Sequence, residues 1–303
     1  MPSGTQINRT AITLPTEVSN EIMQKTQDSS AIMRLARRVA LPGRGLTIPV
    51  ITADPTATWV AESGSKPVSN ASLSQKIMQA YKIAVIETFS MEFARDMKAL
   101  YDTLIDRLPG ALALCFDKTV IGATDAPGEN FDTFASCTAQ SLVATSSHSV
   151  YDGLVAADAD SATHGGILNG FALSPQARGI LLGAVDSTGR PLFVNNAADG
   201  AIPMILGAKT LMSKGVYKAG TSGSSGTPAV VGIAGDWTQA LYGTVEGVKI
   251  DITDNATVTV GSGTSATNVN LWQQNMLAVR AEIEVGFRAD TDPFNKLTGA
   301  IPS

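Results

Sequence analysis

The sequence predicts an α+β fold, and three patterns predict it. Apolar and polar residues alternate from Leu73 to Val85, which is the period of a β-strand. From about Ser90 the apolar residues follow the i, i+3/i+4 spacing of an α-helix for roughly 30 residues. Residues 126 to 240 then mix short apolar runs with helix-start signals, as an α/β unit does. A chain of 303 residues with 44% hydrophobic content can bury a core of this size.

The first 48 residues differ in charge from the rest of the chain. Their formal net charge is +3, whereas the whole chain carries −5. Apolar residues at helical spacing are interrupted by the polar run Gln27–Ser30, which predicts an extended arm with short helical turns. The arginines Arg34, Arg37 and Arg38 are typical of a solvated helix face, or alternatively of a basic lining beside a polyanion.

A long hairpin is expected between residues 49 and 86. The residues around Ala57–Val60 are typical of a strand, and the polar stretch Ala61–Ala71 predicts the tip. The alternating residues that follow, up to Val85, predict one long return strand. An isolated two-stranded hairpin is marginal in water, so we expect this hairpin, and the arm before it, to be buried against another subunit.

The helical pattern runs from Phe93 to Val120, a length of about 45 Å if all of it is helix. Pro109 lies inside this pattern and is expected to kink or break the helix, because proline lacks a backbone donor and crowds the preceding turn. Cys115 falls among the apolar positions, so we expect it to be a buried packing residue rather than a nucleophile.

The remaining elements are shorter, and turn and cap signals separate them. We expect helices at Val150–Ala162 and from Pro175 to about Gly183, strands at Ile167–Leu173, Ala229–Ala234, 244–253 and 256–260, a turn at Asp186–Gly189, loops at 220–227 and after 260, and a final amphipathic stretch at Asn270–Phe287.

The sequence offers few parts for catalysis. Two cysteines and two histidines exclude a disulfide scaffold and a Cys-based zinc ribbon, and they leave little for metal or acid–base chemistry. His148 and His164 have polar surroundings and fit surface or capping roles, while Asp290 and Asp292 fit a turn before Pro293. The nucleotide-binding and hydrolase motifs are absent, and the glycines near residue 261 open no convincing helix. We therefore expect no enzyme site, no cofactor and no metal.

Charge and hydropathy narrow the expected partners. With a pI near 5.1 the chain lacks the global basic field of a dedicated nucleic-acid binder, so any contact with nucleic acid must be local. The start of the sequence lacks the pattern of a secretory signal, and no apolar run approaches the roughly 18 residues of a membrane span. We expect a protein made in a cytoplasm, without membrane contact.

Six segments carry a resemblance to a known family. They are, in order, WVAESGSKPVSNASLS, KIAVIETFSMEFARD, CFDKTVIGA, DSTGRPLF, VVGIAGDWTQALYGTVEGVKIDI and NLWQQNMLAVRAEIEVGFRADTDPFNKLTG. No single segment is very specific, but in this order and spacing the chain resembles the major capsid proteins of tailed bacteriophages with the Hong Kong 97 fold.

The resemblance implies a four-part architecture and a role in a virion. The parts are an N-terminal arm (1–48), an extended β-hairpin loop (49–86), a peripheral domain with a long spine helix (87–125 and 243–303) and an α/β axial domain (126–242). It further implies self-assembly, in the host bacterial cytoplasm, as hexamers and pentamers of an icosahedral phage head around double-stranded DNA.

The resemblance also implies partners. Besides copies of itself, we expect a portal, a decoration protein and a separate scaffolding protein, since the arm pattern begins almost at Met1. The arm would face inward, with Arg34, Arg37 and Arg38 near packaged DNA or intersubunit carboxylates. The DNA contact would be nonspecific and salt-sensitive.

Some relatives join a lysine of the extended loop to an asparagine of a neighbouring subunit. The matching positions here are Lys66, Asn275 and Glu282. The neutral lysine amine would attack the carboxamide carbon, Glu282 would accept a proton, and ammonia would leave. Packing and turn formation explain the same residues without any reaction, and most relatives with this C-terminal pattern do not crosslink.

Two other functions stay open from the sequence. An encapsulin-type nanocompartment uses the same fold around a cargo enzyme instead of a genome. A soluble α/β enzyme with a β-rich insertion would need a nucleophile and a base, which the sequence does not reveal.

Overall fold

The computed structural model describes residues 16–43, 45–53, 57, 59–60, 62, 66, 72–94, 97–145, 148–186, 188–192, 204–223, 226–245, 247–261 and 266–300. Its helices are α1 (Thr16–Ser29), α2 (Ala31–Leu35), α3 (Met91–Ala94), α4 (Met97–Val120), α5 (Val150–Thr163) and α6 (Pro175–Leu182). Its strands are β1 (Arg37–Ala40), β2 (Leu46–Ala53), β3 (Ser72–Met78), β4 (Tyr81–Ser90), β5 (Thr138–Ser141), β6 (Gly170–Leu173), β7 (Met204–Ile205), β8 (Ala208–Met212), β9 (Val230–Gly235), β10 (Ala240–Thr244), β11 (Lys249–Thr253), β12 (Thr257–Val260), β13 (Thr267–Asn270), β14 (Met276–Ala289) and β15 (Phe294–Thr298).

The long strand β14 organises a five-stranded sheet. β4 pairs along one edge of β14, while β11 and β10 pair one after the other along its second edge. β1 extends the sheet by pairing in parallel with β10. Alternate β14 side chains from Leu277 to Val285 are buried, and several of them share an apolar cluster with Ile22 of α1 and Leu108 and Leu112 of α4. The period-two pattern thus gives this sheet one face covered by helices.

A six-stranded sheet forms the second layer, in the order β5-β15-β9-β6-β8-β7. All residues of β6 and β9 are buried, as expected for strands in the middle of a sheet with both faces covered. Leu154 of α5 and Leu181 of α6 join its apolar cluster. β15 lies between β5 and β9, so the C-terminal part of the chain returns to this sheet.

Helix α4 is long and continues through Pro109. The expectation of a break at this residue is therefore wrong. Pro109 removes one backbone hydrogen bond, but Leu108 and Leu112 beside it are fully buried against α1 and the β14 sheet. Packing on both sides of the proline outweighs the lost bond. The short α3 precedes α4, and residues 95 and 96 between them lie outside the described residues.

The described part of the arm packs on its own chain. α1 lies along α4 and buries Ile22 completely, and α2 buries Ile32 and Met33. Ser30 caps α2 by accepting a hydrogen bond from the Met33 amide. The expectation that the arm borrows its burial from a neighbouring subunit is wrong for the buried residues of α1 and α2. Ile22 packs against Leu108 and Leu112 of α4, and the buried residues of α2 belong to the main apolar core cluster. Residues 1–15 lie outside the described residues.

The hairpin is shorter than predicted, and its return strand is interrupted. β2 pairs antiparallel with β3, but the expected strand from Leu73 to Val85 divides at Gln79–Ala80 into β3 and β4. Met78 causes the division, because its side chain is fully buried beside Gly243 and Gly286 and turns the chain from the hairpin into the β14 sheet. Ala57, Trp59 and Val60 lie outside strands, so the strand predicted around them is not found; Thr58 is outside the described residues.

Most of the remaining predictions are confirmed. α5 starts at the capping box of Ser149 and Asp152, and α6 starts at Pro175 after the cap Ser174. Asp186 closes the predicted turn by accepting from the Thr188 and Arg190 amides. The strand expected at 167–173 begins only at residue 170, and the one expected at 244–253 is β11 preceded by the separate β10.

Cys115 is exposed, which contradicts its predicted burial. The buried stripe of this part of α4 passes through Leu112, Phe116 and Val120, and Cys115 lies one position off it. Its side chain borders a cavity of about 300 Å³ beside Tyr81 and Phe131. Partial desolvation raises the pKa of the thiol, so the cysteine is not activated as a nucleophile.

Candidate functional site

The two histidines have local structural partners. His148 Nε2 lies 2.9 Å from the Ser141 carbonyl oxygen, and His164 Nδ1 lies 2.9 Å from the Asp160 carbonyl oxygen at the end of α5. Among the described residues, no cluster of three His, Cys, Asp or Glu side chains is placed to hold a metal ion. In the same part of the chain, no helix combines the length and hydrophobicity needed to cross a membrane. The candidate functional features are therefore the hairpin, its base and the charged surfaces.

The structure separates two of the three candidate crosslinking residues, Asn275 and Glu282, within one chain. Lys66 is exposed in the hairpin loop, and Asn275 is exposed in a left-handed turn (φ 51°) directly before β14. Glu282 follows seven residues later in the same strand, which places it about 23 Å along the strand at 3.3 Å per residue. One copy of the chain cannot present both Asn275 and Glu282 to the same lysine.

Glu282 belongs to a charged face on the side of the β14 sheet opposite the helices. Its carboxylate lies 3.2 Å from Arg280 Nε and 4.0 Å from Lys82 Nζ. Lys82 also pairs with Glu284 at 3.3 Å, and Arg280 with Asp251 at 2.7 Å. Exposed pairs of this kind contribute at most about 1 kcal/mol each, so this face is a polar surface rather than a source of stability.

The three arginines of the arm do not form one cluster. Arg34 ends α2, and Arg37 and Arg38 begin β1, where successive side chains point to opposite faces. Arg34 and Arg37 border a common cleft with Lys209, and Arg38 does not border it. The sequence predicted one basic group because the three arginines are neighbours in the chain. The alternation of side chains along β1 separates Arg38 from the other two.

Sequence reasoning missed a network that fixes the base of the hairpin. The guanidinium of Arg288 donates to the Ile77 carbonyl oxygen at 2.8 Å, to Asp132 at 2.7 Å and to Asn130 at 2.8 Å. Lys76 Nζ donates to the Ala289 carbonyl oxygen at 3.0 Å. These hydrogen bonds tie β3, at the base of the hairpin, to β14 and to the segment around Asp132. The sequence feature that could have pointed to this network is an arginine within the mostly apolar segment VGFRAD.

A second missed feature is the buried carboxyl of Asp117. It accepts hydrogen bonds from Ser30 Oγ at 2.5 Å, from the Ala31 amide at 3.2 Å and from Ser213 Oγ at 2.6 Å. Desolvation raises the pKa of Asp117 to about 6, although these hydrogen bonds act in the opposite direction. Asp117 thus joins the arm, helix α4 and the end of β8. The sequence feature that could have revealed this buried carboxyl is an acidic residue among the apolar positions of α4.

Comparison with known proteins gives this architecture a family. The model of the phage capsid family matches residues 10–298. The chain is 33% identical to the probable major capsid protein of Mycobacterium phage L5 over 302 residues, covering 94% of this chain and 89% of that protein. It is 29% identical to the probable major capsid protein of Mycobacterium phage D29, covering 95% and 90%.

Solved structures agree on the fold. One from Mycobacterium phage Cain superposes with a TM-score of 0.70 at 17% identity and covers 100% of this chain and 96% of that one. The Hong Kong 97 fold implied by the sequence is confirmed, and neither the encapsulin nor the enzyme alternative is favoured. The chain therefore belongs to the phage capsid family, as a structural major capsid protein of a bacteriophage.

Proposed function

We propose that copies of this chain assemble as hexamers and pentamers into a closed icosahedral head around double-stranded DNA, in the cytoplasm of a bacterial host. The observation that carries this proposal is the apolar surface of the hairpin. Trp59 is fully exposed, and Ile77 is 50% exposed on β3. Exposed apolar residues on a hairpin are more favourable when they are buried against a neighbouring subunit than when they are in contact with water.

The fixed base of the hairpin supports the same proposal. A loop that must reach a neighbour at a defined angle needs a rigid origin, and Arg288 supplies it through its bonds to Ile77 and Asp132. Contacts of this head-to-tail kind close into rings when the rotation between subunits allows it. Many modest interfaces then add up to a stable container.

The strand pairing supports a four-part division with two changes. We propose an arm at 1–48, an extended loop at 49–80, a peripheral domain around the β14 sheet and an axial domain around the six-stranded sheet. Residues 81–86 go to the peripheral domain, because they are part of β4 and pair with β14. Because β15 lies between β5 and β9, we assign Phe294–Thr298 to the axial domain rather than to the peripheral one. Scaffolding, portal and decoration proteins are the further partners that such a head would need.

Native mass spectrometry of the expressed full chain tests the assembly. We expect hexamers and pentamers, and negative-stain images should show rings or incomplete shells. Trp59→Asp should shift the population to monomers, because the apolar contact of the hairpin is lost while an exposed residue does not affect folding. Trp59→Phe, which keeps an aromatic side chain, and Glu62→Gln in the same loop are the controls.

Two outcomes would contradict parts of the proposal. A wild-type chain that stays monomeric at all concentrations would contradict self-assembly. Shells that close efficiently from this chain alone would contradict the need for a scaffolding protein. A cargo enzyme inside purified particles, in place of DNA, would favour the nanocompartment function.

A further inference from the structure

A cationic cleft lies where the arm meets the edge of the six-stranded sheet. Its volume is about 470 Å³. Arg34, Arg37 and Lys209 supply the charged side chains, and Asn169 and Thr238 supply an amide and a hydroxyl. These groups come from α2, β1 and β8 and from the two segments that flank β6 and β9. Segments more than 170 residues apart in sequence, such as Arg34 and Lys209, therefore meet at one place.

The cations of this cleft have no acidic partner. Among the residues that the structure describes, no carboxylate lies within 4.0 Å of the charged nitrogens of Arg34, Arg37 or Lys209. The neighbouring Asp236 is already occupied, since it accepts from the Ile167 amide, from Asn169 Nδ2 and from both the amide and the hydroxyl of Thr238. The cleft is thus net positive in a chain of net charge −5.

The backbone that carries these cations is fixed. Arg37 is paired with Leu241 in the β14 sheet, and Lys209 is paired with Gly170 in the second sheet. Between them, the Trp237 indole donates to the Gly170 carbonyl oxygen at 2.9 Å. Arg34 lies in the last turn of α2 and borders the same cleft as Arg37 and Lys209. The three like charges repel one another, and an anion between them relieves this repulsion.

The chemistry of the cleft indicates the class of anion. Two guanidinium groups and an ammonium suit the several acceptor oxygens of a phosphate group. The Asn169 amide and the Thr238 hydroxyl already donate to Asp236, so they line the cleft without adding free donors. Trp237 is only 2% exposed, so it offers no face on which a base could stack. The cleft can therefore recognise phosphate charge without reading a base.

We propose that the cleft of Arg34, Arg37 and Lys209 binds phosphate groups of a polyanion. This inference relies on the proposed function only for the source of the phosphate, which would be the backbone of packaged DNA; free oligophosphate is the other source. Arg38 is outside the site, although it lies in the same strand and carries the same charge.

Binding of a labelled short DNA duplex to the full chain, followed by fluorescence anisotropy at several salt concentrations, tests the proposal. Arg34→Gln, Arg37→Gln and Lys209→Gln should each weaken binding by roughly fivefold to tenfold at 0.1 M salt, and each should lower the salt slope by about 0.9. Arg38→Gln is the matched control and should change both quantities less. Circular dichroism verifies that each variant is folded.

Calorimetric titration with tripolyphosphate separates the two sources. Loss of both DNA and tripolyphosphate binding in the cleft variants, with the Arg38 control intact, supports the proposal with DNA as the source. Loss of tripolyphosphate binding alone supports it with a free oligophosphate as the source. Equal effects of the cleft variants and the control would overturn it. Normal binding with loss of assembly would also overturn it, and would assign the cleft to carboxylates of a second copy.

Discussion

Asp117 is a buried carboxyl whose ionisation affects the stability of the subunit. Its side chain is fully buried, and its pKa is raised to about 6 from an ordinary value of 3.8. The folded state therefore binds this proton more tightly than the unfolded state does. The resulting stabilisation is fully present below about pH 4 and is lost as the pH rises through about 6, a change of about 3 kcal/mol.

We predict that Asp117→Asn removes this dependence, because the amide keeps an acceptor but cannot ionise. Urea unfolding of both proteins from pH 4 to 7 measures it, and the difference in unfolding free energy should change by about 3 kcal/mol across that range. Ser213→Ala should raise the pKa of Asp117 further, since it removes a donor to the carboxylate. Parallel stability curves for the wild type and Asp117→Asn would contradict the assignment.

Helices α5 and α6 each contain one interior glycine, and their surroundings differ. A Cβ at Gly153 in α5 would overlap the Ser141 carbonyl oxygen of β5, whereas a Cβ at Gly179 in α6 meets nothing within 4 Å. We predict that Gly153→Ala destabilises the protein by about 1–3 kcal/mol and that Gly179→Ala stabilises it by about 0.5–1 kcal/mol. Thermal unfolding of the two variants measures both signs, and stabilisation by both alanines would show that α5 does not pack tightly on β5.

Among the helices and strands, the periodicity of apolar residues predicted most elements but not their exact bounds. α5 and α6 were predictable because caps at Ser149 and Ser174 mark their starts locally. The division between β3 and β4 was not predictable, because the alternating pattern continues through it. Only the burial of Met78 against glycines of two other strands ends the first strand there.

At the scale of the whole molecule, the positions of Asn275 and Glu282 bear on covalent crosslinking between subunits. We predict that boiled particles give a single band near 31.4 kDa on a denaturing gel. Asn275 and Glu282 are about 23 Å apart along the direction of β14, so the asparagine and the glutamate that meet one lysine would have to come from different copies of the chain. A ladder of multiples that disappears in Lys66→Arg, but persists in the control Lys76→Arg, would contradict this prediction and establish the bond.

The assembly function was predictable from the sequence because the features that indicate it extend over whole continuous segments of the chain. A long helix, a hairpin with exposed apolar residues and six ordered segments need no knowledge of contacts between distant residues. The arm was misjudged for the opposite reason. Its apolar residues, such as Ile22, indicate burial but do not say whether the cover is α4 or another subunit.

By itself the sequence determined the fold class, the family and most helices and strands, because periodicity and capping are local properties of the chain. The tertiary structure alone decided which distant groups meet. It brings Ser30 and Ser213 to Asp117, Arg288 to the base of the hairpin, and Lys209 to the arginines of the arm. These contacts depend on how sheets and helices pack. A local sequence pattern does not indicate the distance between residues that are far apart in the chain.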